Sequence, residues 1–255
     1  GRREAHKLLE RNAQDGDRLL GAFNRPMPHW LDFFNYTMFV DRDGKFQLGM
    51  LSTSAFKPLA ASMGPMLKEE SFHLGTGSNG LRRIIKAGVI PLDMLQRYMN
   101  KWVATAHDLF GTDSSTSAHW AYVWGVKGRW DERKKLDASI DVDKEILNEE
   151  SRGHYHDEIA REVEKLNGYL PEDCDVTLTI PHENFNRDIG NFGGKNCYTT
   201  GELFEGTDEE YAEYLKTVLP TPEDEEALKE LFKLPWIQDK PMSPRQIASG
   251  IGASA

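Results

Sequence analysis

The chain has 255 residues, 39% hydrophobic and 28% charged, which is enough to bury the core of one large or two modest globular domains. Its formal net charge of −10 argues against nucleic acid as a partner, because an acidic chain is repelled by phosphate backbones. No apolar run approaches the roughly eighteen residues that cross a bilayer, and the charged start "GRREAHKLLE" is unlike a signal peptide. We therefore expect a cytoplasmic protein without a membrane partner.

The first fifth of the chain is predicted to be helical. Residues 1–22 have the apolar spacing of a helix, and the chain opens there without a methionine, so we expect a segment of a longer protein. Residues 30–51 allow two interpretations. "FVDRDGKFQL" carries the Asp-Gly pair of a β-hairpin, whereas Phe34, Met38 and Leu48 keep helical spacing. We interpret the run as a helix because it is too long for one strand.

A second helix is predicted to begin at Pro58, which suits a first helical turn and follows three residues that can cap it, "STS". It is predicted to run through residue 73 and to stop at the glycines of "GTGSNG", residues 75–80, before a short separate helix at "LRRIIKAG". "GTGSNG" also matches a dinucleotide-binding fingerprint. That fingerprint requires a preceding strand, so we exclude this function.

Three more elements are predicted to complete the helical region. One helix follows Pro91 and stops at Gly111, and a charged helix ends at Gly168. Between them, "SAHWAYVWGVKGR" is predicted to be a buried element. His154 and His156 lie two residues apart and cannot share a metal from one helix face, so we interpret both as surface residues.

The composition changes at Pro171, which predicts two regions. We expect residues 1–170 to form part of a helical bundle and residues 171–255 to form an irregular C-terminal region. In the second region "CDVTLTI" alternates like a β-strand, and two short acidic helices are predicted behind the capping residues Thr207 and Thr221. We interpret the acidic helices as solvated rather than as a docking surface.

Glu70 and His73 stand where the second helix should be apolar. Their spacing of three places a carboxylate beside an imidazole, the Glu-x-x-His arrangement of carboxylate-bridged di-iron bundles. Asp41 is as far before the predicted turn as Glu70 is after it, so an antiparallel helical hairpin would bring Asp41 level with Glu70. Spacing alone does not exclude Asp43. It points about 200° away from Asp41 on a helix, so only one of the two can serve.

These residues allow two interpretations. Carboxylate and imidazole ligands suit iron with open positions for dioxygen, which would make Asp41, Glu70 and His73 metal ligands. Alternatively, the residues form a buried polar cluster in which Glu70 bonds His73 and Arg42, since an uncompensated buried carboxylate is costly. The residue pattern by itself leaves both open.

Residues 34–77, "FNYTMFVDRDGKFQLGMLSTSAFKPLAASMGPMLKEESFHLGTG", resemble the ferritin-like di-iron oxygenase family that includes the benzoyl-CoA and phenylacetyl-CoA epoxidases. The likeness continues through "GVIPLDMLQRYMNKW", "DLFGTDSS" and "GVKGR". It implies a ferritin-like bundle in which two Glu-x-x-His helices hold two irons. By this resemblance Asp41, Glu70 and His73 match the second half of the ligand set, and the first half should lie upstream of Gly1.

The resemblance also implies a function. A di-iron centre would use dioxygen to epoxidise the aromatic ring of benzoyl-CoA in benzoate degradation, with Glu70 as the catalytic ligand. NADPH would supply electrons through a separate flavin and iron–sulfur reductase. The alternatives are an oxygenase of phenylacetyl-CoA or another aromatic acyl-CoA, and a non-catalytic helical interaction protein. With half of the ligand set, the segment alone is expected to be inactive.

Basic residues in the C-terminal region offer a weak signal for CoA binding. Arg187 and Lys195 lie in its loops, where they could meet CoA phosphates. Isolated basic residues in loops are usually solvated, so we interpret both as surface residues and leave them out of the site. The sequence predicts neither the CoA-binding residues nor the oligomeric state.

Overall fold

The computed structural model describes residues 3, 6, 7, 21–129, 146–172 and 174–232. The elements are a 3₁₀ turn (Gly21–Asn24), α1 (Trp30–Asn35), a π-helix (Tyr36–Val40), α2 (Asp41–Leu51), α3 (Lys57–Ala87), α4 (Leu92–Leu109), α5 (Thr116–Val123), α6 (Leu147–Asn167), α7 (Asp208–Val218) and α8 (Pro222–Phe232). Within these ranges the β-contact is one isolated bridge between Cys197 and Leu203. The mostly α prediction is confirmed, and the predicted helix over residues 1–22 lies almost wholly outside the described residues.

Two helical arms form a hairpin. The first arm consists of α1, the π-helix and α2, which follow one another without interruption, so the helical interpretation of residues 30–51 is confirmed. The second arm is α3, with Pro58 in its first turn as predicted. Ser54 accepts a hydrogen bond from the backbone N–H of Phe56 just before α3 begins. The two arms pack against each other along α2, the π-helix and α1.

The prediction that "GTGSNG" ends the second helix is wrong. α3 continues through these glycines and the predicted separate helix to Ala87, and it ends at Gly88 with a φ of 62°. A Cβ at Gly77 would lie 2.5 Å from the backbone nitrogen of Met38, and a Cβ at Gly80 would overlap the ring of Phe34. The glycines therefore allow close packing of the two arms, which outweighs a helix cost of about 1 kcal/mol each.

α4 lies against the first arm and supplies much of the core. It begins after Pro91 and ends before Gly111, as predicted, and Gly111 has a φ of 73°. Its side chains Leu95, Tyr98, Met99, Trp102 and Val103 are at most 1% exposed. α6 packs against both arms of the hairpin, and the buried hydroxyl of Tyr155 donates a hydrogen bond to the carbonyl of Phe39 at 3.1 Å.

α5 is helical but is not the buried element that its apolar composition predicts. None of its residues is buried, and Trp120 and Trp124 around its end are 44% and 69% exposed. An eight-residue helix with apolar side chains around its whole circumference can turn only part of that surface towards neighbours. The apolar residues of α5 have no helical periodicity, so composition alone predicted a burial that the structure does not show.

The predicted β-strand at residues 174–180 is also wrong. This segment is extended but pairs with no strand among the described residues. Two side-chain amides take the place of a partner strand. Asn167 bonds both the N–H and the carbonyl of Leu178, and Gln96 does the same for Thr179. The alternating pattern correctly predicted extended backbone but not how its polar groups are satisfied.

Both predicted C-terminal helices are present with their predicted caps. Thr207 and Glu210 form a reciprocal capping box at α7, and Thr221 accepts a hydrogen bond from the backbone N–H of Asp224 at α8.

The chain divides into two compact units, Gly1–Leu219 and Pro220–Ala255. The boundary predicted between a helical region, residues 1–170, and an irregular region, residues 171–255, stays a prediction. None of the described helices combines the length and apolarity that a membrane crossing requires.

Candidate metal centre

Asp41, Glu70 and His73 come together between the two arms of the hairpin. One ligand-type atom from each residue lies within 4.8 Å of those of the other two. Nδ1 of His73 is 3.8 Å from Oδ2 of Asp41 and 3.8 Å from Oε2 of Glu70. These distances are too long for hydrogen bonds. The structure therefore gathers the three predicted residues without pairing the imidazole to either acid.

Local backbone structure positions each of these side chains. Asp41 begins α2 directly after the π-helix, where its backbone N–H donates to the carbonyl of Tyr36, five residues earlier. Glu70 and His73 lie one turn apart on α3. Gly44 faces Glu70 from α2, and a Cβ there would be 3.4 Å from Oε1 of Glu70. Because Gly44 has no side chain, the Glu70 carboxylate lies against the backbone of α2.

The two acids are partly buried, whereas the imidazole is half exposed. The side chains of Asp41 and Glu70 are 18% and 20% exposed, and that of His73 is 49% exposed. Burial, and secondly the charge of Glu70, raise the pKa of Asp41 from 3.8 to about 7, while His73 opposes the shift. Burial also raises the pKa of Glu70. The cluster thus concentrates negative charge that a cation would stabilise.

One oxygen of Glu70 provides an independent test of whether a metal fits. Oε2 of Glu70 is buried and makes no hydrogen bond in the part of the chain that the structure describes. A buried acceptor without a partner costs about 1 to 3 kcal/mol, so native proteins rarely leave one. This oxygen also approaches Nδ1 of His73, so both atoms would contact an ion held there. The residues present therefore fit a cation.

Asp43 does not join the cluster. It is 3% exposed, and its carboxylate accepts a hydrogen bond from Nε2 of Gln47 at 3.1 Å. Burial is the main cause that raises its pKa to about 7, while Gln47 and Lys127 act in the opposite direction. Of the two acids that spacing left open, the structure brings Asp41 to Glu70 and His73.

Arg42 does not compensate Glu70 as the polar-cluster interpretation required. Its Nη1 donates to Oε1 of Glu158 on α6 at 2.5 Å, and its Nε donates to the carbonyl of Met38. Lys45 bonds the same Glu158 carboxylate at 2.6 Å. The basic residues nearest in sequence to Asp41 therefore serve the contact between α2 and α6.

Tyr36 is a neighbour of the cluster that the sequence did not reveal. Burial and then the charges of Asp41, Glu70 and Asp43 raise its pKa to about 12, so its phenol is protonated near neutral pH. Regular helical spacing places residues five apart about 140° away from each other. The π-helix shortens that angle and turns Tyr36 towards the side of Asp41. The amino-acid composition of this segment does not indicate a π-helix.

Two predicted surface residues pack against α4, His156 partly buried and Arg187 buried. The ring of His156 stacks on the buried His107 with centroids 5.4 Å apart, and its Nδ1 is 3.4 Å from Nε2 of His107. Arg187 is 7% exposed, and its Nε donates to Asp108 at 2.5 Å. The surface predictions for His156 and Arg187 are therefore wrong. Lys195 is exposed as predicted.

A family model described as "Phenylacetic acid catabolic protein" matches residues 1–192, and the chain belongs to this family. Its mostly helical architecture agrees with the predicted ferritin-like bundle. The chain is also 36% identical over 266 aligned residues to benzoyl-CoA oxygenase component B of Aromatoleum evansii. The alignment covers 88% of this chain and 56% of that protein. The chain thus spans about half the length of this curated relative, and the predicted family resemblance is confirmed.

Proposed function

We propose that this chain carries half of a carboxylate-bridged di-iron centre in an oxygenase component that epoxidises the aromatic ring of benzoyl-CoA. The observation that carries the proposal is the convergence of Asp41, Glu70 and His73 from two arms of a helical hairpin. The similarity to a benzoyl-CoA oxygenase component supports the substrate. The other half of the ligand set would come from sequence upstream of this chain.

The chemistry of the three side chains suits iron. Asp41 and His73 would ligate one iron, and Glu70, the catalytic ligand, would ligate or bridge. Bound iron supplies the activation of dioxygen. The protein's own contribution is to hold two carboxylates close together against their repulsion, with the His73 imidazole beside them. Gly44 presents no side chain to the Glu70 carboxylate, and a Cβ there would lie 3.4 Å from Oε1 of Glu70.

The electrons would come from a separate protein. The designation "component B" of the similar oxygenase refers to a system with more than one component. We propose NADPH as the electron source and a flavin and iron–sulfur reductase as its carrier, because the chain has no recognisable motif for a flavin, a nicotinamide or an iron–sulfur cluster. We also propose that the protein acts in the cytoplasm.

The first experiment follows epoxide formation by the full-length protein that contains this chain, supplied with iron, reductase, NADPH and dioxygen. His73→Gln removes a proposed ligand and should reduce product from benzoyl-CoA at least a hundredfold. His154→Gln is the matched control, since His154 is a helical histidine outside the cluster whose side-chain exposure, 48%, is close to the 49% of His73. Full epoxide formation by His73→Gln would contradict the proposal.

A second candidate substrate is phenylacetyl-CoA, which the description of the family favours. Competition between equal concentrations of the two thioesters separates the candidates. We expect the benzoyl epoxide to predominate. Predominance of the phenylacetyl product would identify phenylacetyl-CoA as the substrate instead. A non-catalytic interaction protein, the remaining alternative, would bind no stoichiometric iron.

A further inference from the structure

A chain of oxidisable side chains leads from the metal-centre candidate into the core. The ring of Tyr36 meets the indole of Trp102 edge to face, with centroids 5.3 Å apart and planes at 85°. Trp102 is fully buried on α4. Tyr36 in turn lies in the field of Asp41 and Glu70 and shares a backbone hydrogen bond with Asp41. An indole therefore sits one aromatic ring beyond the cluster.

Trp102 also has a proton acceptor in place. Its Nε1–H donates to Oδ1 of Asp32 at 2.8 Å, and both side chains are at most 1% exposed. Lys101 donates to the same oxygen at 2.7 Å. The second oxygen, Oδ2 of Asp32, is buried and lies 3.3 Å from Nε2 of His29. The Asp32 carboxylate therefore accepts the indole N–H while Lys101 and His29 hold it in place.

The ammonium of Lys101 above the indole determines whether Trp102 loses an electron alone or together with a proton. Nζ of Lys101 lies over the Trp102 ring, 4.6 Å from its centroid. A cation at this distance disfavours positive charge on the ring. Loss of an electron from Trp102 is therefore coupled to loss of its Nε1 proton, and the hydrogen bond to Asp32 gives that proton a path.

We infer that Tyr36, Trp102 and Asp32 form a redox relay that quenches the oxidant formed from dioxygen at the metal when no aromatic substrate consumes it. The inference rests on the proposed function, because that function supplies the oxidant. Trp102 would give one of the two electrons that quenching requires, through Tyr36, and the reductase would give the other. The Nε1–H bond of Trp102 breaks in this step, and an O–H bond forms on Asp32. The product is a neutral indolyl radical beside a carboxylic acid. One electron from the reductase and return of the proton restore the resting pair.

The test mixes reduced, iron-loaded full-length protein with dioxygen in the absence of any acyl-CoA and records electron paramagnetic resonance spectra of freeze-quenched samples. We expect an organic radical whose hyperfine lines narrow when the protein contains ring-deuterated tryptophan. Labelling the unmodified protein makes this readout independent of whether any variant folds. A merely structural role for the Trp102 hydrogen bond would produce no such signal.

Variants then locate the radical. Trp102→Phe keeps a ring against Tyr36 but removes the N–H, and it should abolish the signal and shorten the lifetime of iron-loaded protein under substrate-free cycling several-fold. Asp32→Asn removes the proton acceptor and should lower the radical yield several-fold. Trp124→Phe is the control, because Trp124 is 69% exposed at the end of α5, and it should leave both signal and epoxide formation unchanged.

The outcomes separate the relay from the proposed function. Protein that binds no iron would overturn both. Protein that binds iron and forms epoxide, but shows no organic radical without substrate, would overturn the relay alone. A signal that narrows with ring-deuterated tyrosine but not with tryptophan would also overturn it, since the electron would then come from Tyr36 or another tyrosine.

Discussion

Asp41 links burial to metal chemistry at the scale of single residues. Its carboxyl is partly buried beside Glu70, and its pKa of about 7 leaves it protonated in a substantial fraction of metal-free molecules near neutral pH. A cation would replace that proton, because ligation requires the carboxylate form. Sequence spacing correctly predicted that Asp41 lies close to Glu70. It could not predict the pKa, which depends on what covers the pair.

The first prediction concerns this proton. Adding Fe²⁺ or Mn²⁺ to the full-length protein at roughly pH 6 should remove a carboxylic acid band from the infrared difference spectrum, and metal affinity should rise with pH through about 7. Asp43→Asn, measured in parallel, removes the other acid with a pKa of about 7 and identifies its band. Metal affinity that does not change over this pH range would contradict the assignment of Asp41.

The second prediction concerns Asp43 and stability. Its folded-state pKa of about 7 exceeds the unfolded value of 3.8, so the folded protein holds the proton more tightly and loses stability as pH rises between these values. Asp43→Asn should therefore raise the free energy of unfolding of the metal-free protein above pH 7, by on the order of 2 kcal/mol, with little effect near pH 4.

Urea denaturation at both pH values checks this effect of Asp43→Asn. The exposed Asp175 provides the control, since Asp175→Asn should change the unfolding free energy little at either pH. An Asp43→Asn variant that is less stable than the unmodified protein at high pH would show that the buried carboxylate is compensated. In that case Lys127 would be the compensating partner, because its positive charge lowers the pKa of Asp43.

Glycine in α3 shows how packing between elements overrides local preference. The hairpin, its turn near Pro58 and the ligand spacing could be predicted from the sequence, because each depends on residues that are near one another in the chain. It did not reveal that Gly77 and Gly80 lie where the second arm touches the first. A glycine that ends a helix and a glycine that admits a neighbouring helix look alike until the neighbour is placed.

The third prediction compares two glycines of α3. Gly77→Ala places a Cβ 2.5 Å from the backbone nitrogen of Met38, and overpacking against backbone should cost a net of about 2 kcal/mol of stability. Gly64→Ala meets nothing within 4 Å and should stabilise the helix by up to about 1 kcal/mol. Thermal unfolding measures both.

Metal affinity gives the Gly77→Ala comparison a second readout. Gly77 lies one turn beyond His73, so separation of the arms should weaken metal binding in Gly77→Ala and leave it unchanged in Gly64→Ala. Equal melting temperatures for the two variants would mean that the arms can separate without cost. The close approach would then not be what fixes Asp41 against Glu70 and His73.

Arg187 shows why a local sequence pattern misses packing between distant parts of the chain. It lies in a loop 80 residues from its partners on α4, where its guanidinium bonds the carboxylate of Asp108 and the carbonyl of His107. Nothing near Arg187 in sequence indicates those partners. The same holds for His156, whose ring meets His107 on another helix. Arg187 ties a loop to α4, and His156 contributes to the contact between α6 and α4.

The fourth prediction tests this anchor. Arg187→Gln should destabilise the protein by on the order of 3 kcal/mol, because it leaves Asp108 without its buried cation. Amide hydrogen exchange should increase first around residues 182–190. Lys195→Gln, at the exposed basic residue of the same region, should have little effect. Equal exchange rates in both variants would argue that the loop is held by other contacts.

We propose that two arms of one hairpin hold half of an iron site. Metal analysis of the purified full-length protein, with Glu70→Gln beside Glu69→Gln, tests it most directly. Glu69 is the exposed neighbour of Glu70 on the same turn and controls for loss of a carboxylate. We expect stoichiometric iron in the unmodified protein and in Glu69→Gln, and loss of at least half of it in Glu70→Gln. Equal iron in both variants would contradict the assignment of Glu70 as a ligand.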